Sequence, residues 1–138
     1  MLYEYENGSA KVRAIVDNAM AIVINHIDIP DNVNVTFEFA KSNSCGGCVD
    51  MEVDEDGVHQ FYVDLNSKQS AEELTATVFH ELKHVEQNAN RRLDQTIWLG
   101  KDYKDVQYAD RPWEIEAYAF EEQMMGLYRG KYETYCRC

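Results

Sequence analysis

The residues best suited to chemistry are His80, Glu81 and His84, which form the pattern His-Glu-x-x-His. Two histidines four residues apart on a helix project from consecutive turns on the same side, so their imidazoles can bind one metal ion. A glutamate directly after the first histidine can take a proton from a water on that metal. The pattern therefore predicts a metal-dependent hydrolytic site, against the alternative of two solvated histidines on a charged helix.

The surrounding sequence predicts that this motif lies on an amphipathic helix over residues 71–89. Ser70 followed three residues later by Glu73 is a capping box, which marks a helix start. Apolar residues then recur at helical spacing, namely Leu74, Val78, Leu82 and Val85. Glu81 and His84 also form a Glu-x-x-His pair of the di-iron type, but such bundles need a second copy, and the sequence has none.

A catalytic zinc site normally has three protein ligands and one open position, so the two histidines need a third partner. Glu114 and Glu116 are the candidates, on a second helix predicted from Pro112 to about Tyr128, with proline in its first turn. The two glutamates lie about 200° apart around a helix, so only one of them can face the metal.

This combination resembles the gluzincin branch of zinc metallopeptidases, in which a second helix supplies a glutamate after His-Glu-x-x-His. The stretch from Glu114 to Ala117 looks like the Glu-x-x-Ala pattern of small members, including phage-encoded and ImmA/IrrE-type metallopeptidases. The resemblance covers residues 80–121 and carries the third ligand over to Glu114, with Glu116 as the alternative. Tyr118 stands where the family often has an acidic or amide residue that supports a ligand.

The resemblance implies Zn²⁺ as the cofactor, a peptide or protein as the substrate and Glu81 as the general base. It also implies that the strand before the metal helix, residues 59–65, edges the cleft and pairs with an extended peptide. A donor is expected to stabilise the oxyanion of the transition state. The candidates are Tyr103, Tyr108, Tyr118 and His59. The alternative function is a catalytically inactive zincin-like domain that binds or regulates a protein and holds a structural metal.

The four cysteines form two close pairs, Cys45 with Cys48 and Cys136 with Cys138. If the pairs meet in the fold, their thiolates would make a second, structural metal site. The other interpretation is free or redox-active thiols, because a stable disulfide is disfavoured in the cytosol.

Composition limits the classes of partner and the number of domains. A chain of 138 residues predicts one domain over residues 1–138. Its 25 acidic and 13 basic residues give a formal charge of −12, which argues against nucleic acid and anionic membranes as partners. The apolar stretch at 14–29 contains charged and amide residues, so no membrane span is predicted. The expectation is a soluble cytoplasmic protein, of a phage-infected host cell if the phage resemblance holds.

The fold class predicted is α+β. A helix is expected over 10–27 with Ser9 as its cap, followed by strands at 33–39, 49–53 and 58–65. These strands predict a small mixed or antiparallel sheet of about three strands, followed by the metal helix and the second ligand-bearing helix. Residues 1–8 are expected to form a polar lead, and residues 91–110 an irregular segment. The resemblance implies a minimal zincin-like domain.

Overall fold

The computed structural model describes residues 1–40, 47–53 and 59–136, without the side chains of residues 53, 59 and 131–136. Within these ranges the chain forms a small α+β domain with three α-helices and two sheets. The elements in chain order are β1 (Leu2–Tyr5), α1 (Ala10–Val23), β2 (Val33–Ala40), β3 (Gly47–Val53), β4 (His59–Asn66), α2 (Ala71–Ala89), β5 (Leu93–Asp94), β6 (Ile97–Trp98), β7 (Lys101–Asp102) and α3 (Pro112–Cys136).

The main sheet has four strands in the order β1-β2-β4-β3 and is mixed. β1, β2 and β4 are parallel, whereas β3 runs antiparallel to β4 as the partner strand of a hairpin. The expectation of about three strands was wrong because the N-terminal lead pairs with β2, from Leu2 opposite Asn34 to Tyr5 opposite Phe37. Tyr3 and Tyr5 of this short strand pack on Phe37. The acidic and polar composition of residues 1–8 gave no indication of this apolar contact.

The strand order also corrects the prediction that residues 59–65 edge the cleft. β4 is hydrogen-bonded to β2 on one side and to β3 on the other, so β3 is the edge strand. A strand pattern in the sequence does not identify which strands lie on either side of it. Among the described residues, β3 is therefore the strand to which an extended peptide could add at this end of the sheet.

The core lies between one face of this sheet and the helices. Alternate residues of β2 and β4 are fully buried against the apolar stripes of α1 and α2, namely Val33, Val35 and Phe37 of β2 and Phe61, Val63 and Leu65 of β4. The largest of these side chains are Phe37, Phe61, Phe79, Met20 and Leu74. Burying a side chain of this size contributes about 1.5–3 kcal/mol, so this layer fixes the position of α2 on the sheet.

The helix that carries the His-Glu-x-x-His motif has the predicted bounds. The Ser70 hydroxyl accepts from the Glu73 amide at 3.2 Å, and the Glu73 carboxylate accepts from the Ser70 amide at 3.0 Å, which confirms the capping box. α1 begins after Ser9 as predicted but ends at Val23, and α3 continues past Tyr128 to Cys136. Among the described residues, no helix combines the length and the apolar composition that crossing a bilayer requires.

The segment 91–110 is more regular than expected. It forms a three-stranded antiparallel meander, β5-β6-β7, followed by a 3-10 turn at Tyr108–Asp110. The meander turns tightly because Gln95 and Leu99 adopt positive φ angles, which sequence patterns do not anticipate at residues other than glycine. Its buried Leu93 and Trp98 pack against Trp113, so the meander positions the first turn of α3.

The other face of the main sheet carries no helix within the described residues and is acidic. Glu38 of β2 lies opposite Asp64 of β4, and Asp50 and Glu52 of β3 project from the same face. The neighbouring Asp64 raises the pKa of the Glu38 carboxyl. Like charges therefore face one another across this surface, which is called here the open acidic face.

Candidate metal centre

Helices α2 and α3 bring three potential ligand atoms together at their crossing. His80 Nε2 and His84 Nε2 lie 3.1 Å apart, and Glu114 Oε1 lies 3.1 Å from the first and 2.7 Å from the second. The two histidines come from consecutive turns of α2, and Glu114 comes from the first turn of α3. His80 is 6% exposed and Glu114 is 3% exposed, so the cluster is largely shielded from water.

This donor set fits a divalent transition metal such as zinc. Donors bound at about 2.0–2.1 Å in a tetrahedral zinc site lie roughly 3.3 Å from one another, close to the separations found here. Two imidazole nitrogens and a carboxylate are ordinary zinc ligands and leave a fourth position for a water or substrate. The three residues form a group able to hold a metal ion.

The pKa values of the three residues indicate that a positive charge at this site is favourable. Burial would lower the pKa of His80, but the carboxylates of Glu114 and Glu121 outweigh burial and raise it to about 9. The pKa of His84 is raised against burial in the same way, mainly by its contact with Glu114. Burial would raise the pKa of Glu114, whereas its hydrogen bonds to the two histidines lower it well below the usual range. Without a metal, the raised pKa values favour the protonated imidazoles, whose positive charge would offset that of the carboxylates.

Glu81 lies in the cleft beside this cluster. It lines two adjoining pockets of about 210 and 350 Å³, the first shared with His80 and the second with His84 and Glu114. The side chain is 7% exposed, and burial raises the pKa of its carboxyl. The Glu81 side chain therefore shares the cleft with all three potential ligands.

Gly47, at the start of β3, forms the wall of the cleft opposite Glu81. A β-carbon at this position would lie 2.9 Å from the Asp64 carbonyl oxygen, 2.9 Å from Thr77 Cγ2 and 3.1 Å from Glu81 Cγ. These distances are shorter than ordinary contacts, so only glycine lets the edge strand approach α2 this closely. Gly47 borders both pockets.

The structure places Glu114, and not Glu116, beside the histidines. Glu116 Oε2 accepts from Arg92 Nη1 at 2.8 Å, and Glu116 Oε1 accepts from Gln87 Nε2 at 3.2 Å. Burial would raise the pKa of Glu116, but its bonds to Arg92 and Gln87 lower it. The neighbouring cations and amide therefore hold the Glu116 carboxylate on the other side of α3.

Two further side chains contact the outer nitrogens of the histidines. Gln87 Oε1 lies 2.8 Å from His84 Nδ1. Glu121 Oε1 lies 3.4 Å from His80 Nδ1, which is buried and makes no hydrogen bond to the described residues. Such outer partners orient metal-binding imidazoles and fix their tautomers.

The three candidate tyrosines are not equivalent. Tyr108 lines both pockets, and its hydroxyl interacts with the Glu114 carboxylate. The Tyr118 ring packs edge-on against His80, with 4.5 Å between ring centroids, and lines the smaller pocket. Tyr103 instead packs edge-on against Trp113 at 6.1 Å and borders neither pocket. His59 begins β4, and its side chain lies outside the described residues.

The cysteine prediction falls largely outside the described part of the chain. Cys48 lies on β3, is exposed, and has its sulfur 3.5 Å from Asp64 Oδ2. Cys45 and Cys138 are outside the described residues, as is the side chain of Cys136. The four-thiolate site therefore stays a prediction.

Sequence reasoning missed Gly47, Gln87, Arg92 and Glu121. Helical spacing could have found two of them, because Gln87 follows His84 by three residues and Glu121 follows Glu114 by seven, which places each pair on one helix face. The sequence offers no comparable signal for Gly47, because its role depends on strand β3 reaching α2.

No known protein family, characterised protein or solved structure matches this chain.

Proposed function

We propose that this protein is a zinc-dependent metallopeptidase, with His80, His84 and Glu114 as metal ligands and Glu81 as the general base. The observation that carries the proposal is the convergence of His80 Nε2, His84 Nε2 and Glu114 Oε1 within 3.1 Å, in a cleft that Glu81 also lines. A structural zinc site is usually closed by four protein ligands. Three ligands beside a buried carboxylate favour catalysis.

When bound, zinc would activate a water and polarise the scissile carbonyl. Glu81 would take the proton from the attacking water and deliver it to the departing amine. Its burial raises its pKa, which makes the carboxylate a stronger base than one exposed to solvent. Tyr108 and Tyr118 border the cleft and are the candidates for stabilising the oxyanion. Tyr103 is not retained for this role because it packs against Trp113.

The substrate proposed is an extended peptide or an unfolded protein segment. β3 is the edge strand, and its residues Gly47 to Val49 border the larger pocket together with His84 and Glu114. An edge strand can hydrogen-bond an added strand along its outer side. A peptide held in this way would pass the ligand cluster, with one of its side chains in the pocket of about 350 Å³.

The proposal is tested by comparing the native chain with Glu81→Gln. Both proteins should retain one tightly bound zinc, measured by elemental analysis after dialysis. Only the native chain should cleave a fluorescein-labelled unfolded protein, because Glu81→Gln keeps the shape of the side chain but removes the base. The matched control is Glu72→Gln, the same substitution on the exposed first turn of α2, which should cleave as the native chain does.

The outcomes separate the proposed function from its alternative. A native chain that binds zinc but cleaves no unfolded protein would favour a binding or regulatory domain with a structural metal. Equal cleavage by the native chain and Glu81→Gln would refute the general-base role.

A further inference from the structure

The fully buried amide of Gln87 makes hydrogen bonds to both ligand-bearing helices. Its Oε1 lies 2.8 Å from His84 Nδ1 on α2. Its Nε2 donates to the carbonyl oxygen of Trp113 at 3.0 Å and to Glu116 Oε1 at 3.2 Å, both on α3. The side chain is 0% exposed, so water cannot substitute for any of these contacts.

The surroundings allow the Gln87 amide only one orientation. The Trp113 carbonyl can only accept a hydrogen bond, and Glu116 is held as an acceptor by Arg92 on its other oxygen. If the amide were reversed, its oxygen would face two acceptors at close range, and its NH₂ group would face His84. The two NH groups must therefore point to α3, which leaves the carbonyl oxygen for His84.

This orientation determines the tautomer of His84. An amide oxygen only accepts, so His84 Nδ1 must carry a proton. In the neutral imidazole the lone pair then lies on Nε2, the atom that faces His80 and Glu114. The same amide also donates to the carbonyl oxygen of Trp113, the residue directly before Glu114. This hydrogen bond restrains the backbone that carries Glu114, the third potential ligand.

We propose that Gln87 is a positioning residue, which selects the metal-binding tautomer of His84 and fixes Glu114 beside it. Glu116, the alternative ligand candidate, thereby serves to orient the amide, with Arg92 holding it in place. This inference rests on the proposed metal centre and extends it to residues without direct contact to the metal.

The test compares zinc affinity, measured by competition with a chromophoric chelator, among the native chain, Gln87→Leu and Thr75→Val. Gln87→Leu removes all three hydrogen bonds at similar side-chain volume and should weaken zinc binding about 10–100-fold, the usual effect of losing an outer-shell partner. Thr75→Val is the matched control, because Thr75 is also buried in α2 and loses one hydrogen bond, to the Ala71 carbonyl. It should leave zinc affinity unchanged.

A second measurement needs no variant. In ¹⁵N-edited NMR spectra of the zinc-loaded native chain, the His84 ring proton should be on Nδ1 and should exchange slowly with water. A proton on Nε2, or zinc affinity in Gln87→Leu equal to that of the native chain, would overturn the role of Gln87 alone. A native chain that binds no zinc would overturn both this inference and the proposed function. A chain that binds zinc but cleaves nothing would leave Gln87 as a positioning residue of a structural site.

Discussion

Gly47→Ala is the substitution that most directly tests the close approach of the edge strand to Glu81. The added β-carbon would lie 2.9 Å from Thr77 Cγ2 and 3.1 Å from Glu81 Cγ. Carbon atoms in contact normally lie at least about 3.5 Å apart, so relief of the two contacts needs a displacement of roughly 0.4–0.6 Å. The third neighbour is the Asp64 carbonyl oxygen, which is fixed in the β3–β4 ladder and cannot move far.

The displacement should reduce both stability and turnover. Overpacking of this size costs about 1–3 kcal/mol in the free energy of unfolding. A catalytic group misplaced by 1 Å can lose about 100-fold in rate, so half that displacement of Glu81 should lower kcat about tenfold. Zinc affinity should stay within about threefold of the native value, because outer-shell losses of 10–100-fold arise from contacts that this substitution leaves intact.

The assay combines urea unfolding, zinc competition and cleavage of a labelled unfolded protein. Gly126→Ala is the matched control, because a β-carbon on this helical glycine would meet no atom within 4 Å. Alanine in a helix is favoured over glycine by about 1 kcal/mol, so the control should be at least as stable as the native chain. Gly47→Ala/Thr77→Ser should recover part of the stability, because serine removes Cγ2 and keeps the hydroxyl that bonds Gln69 and the Glu73 carbonyl.

A Gly47→Ala protein that unfolds and cleaves as the native chain does would contradict the close approach of β3 to Thr77 and Glu81. The predicted contact with Glu81 would also be contradicted if Gly47→Ala/Thr77→Ser recovered full turnover while remaining as unstable as Gly47→Ala. That result would mean that Glu81 is not the neighbour that Gly47 protects.

Two other predictions concern the ligand set and its protons. Glu114→Gln should weaken zinc binding by more than about 100-fold, because even the loss of an outer-shell partner can reach that size. Glu116→Gln keeps an acceptor for Gln87 and should change zinc affinity less than about tenfold. Competition with a chelator measures both affinities, and a larger loss in Glu116→Gln would transfer the ligand role to Glu116. The metal-free protein should lose stability at alkaline pH, because folding raises the pKa of His80 from 6.5 to about 9. The contribution of protonated His80 to the free energy of unfolding is complete below pH 6.5 and is lost as the pH rises through about 9. Urea midpoints in EDTA should therefore fall between about pH 7 and pH 10. The zinc-loaded protein should show no such fall, because its histidines are already neutral, and a flat profile without metal would contradict the assigned charges.

The sequence predicted the start of α2 at Ala71 and its end at about Ala89, for identifiable physical reasons. Ser70 and Glu73 fix its start through local hydrogen bonds, and its apolar stripe buries against the sheet. The same local information missed β1, because that strand is stabilised by parallel pairing with a strand about thirty residues away. Its alternation of Leu2, Tyr3, Glu4 and Tyr5 was a usable signal, but a four-residue strand is short for such a judgement.

At the site, the separation of Glu114 and Glu116 by about 200° around a helix predicted that only one of them faces the metal, but it did not identify which one. The choice depends on Arg92 and Gln87, which hold Glu116 away from the histidines through contacts between α2, the following turn and α3. In the same way, the sequence predicted a strand at 58–65, whereas the place of β4 between β2 and β3 depends on the whole sheet. Patterns of spacing describe one element at a time, and these features arise from pairs of elements.

Because of the open acidic face, the position of β3 beside the cleft should depend on the ionic strength. Glu38 and Asp64 repel one another across β2 and β4, and Asp50 and Glu52 extend the repulsion to the edge strand that carries Gly47. In dilute buffer this repulsion acts over tens of ångströms, whereas at about 0.15 M salt it is screened beyond roughly 8 Å. Low ionic strength would therefore loosen β3 first and withdraw the backbone that lies against Glu81. It would also let loosely held cations gather on the sheet, so a metal titration counts the interior centre alone only when background electrolyte is present.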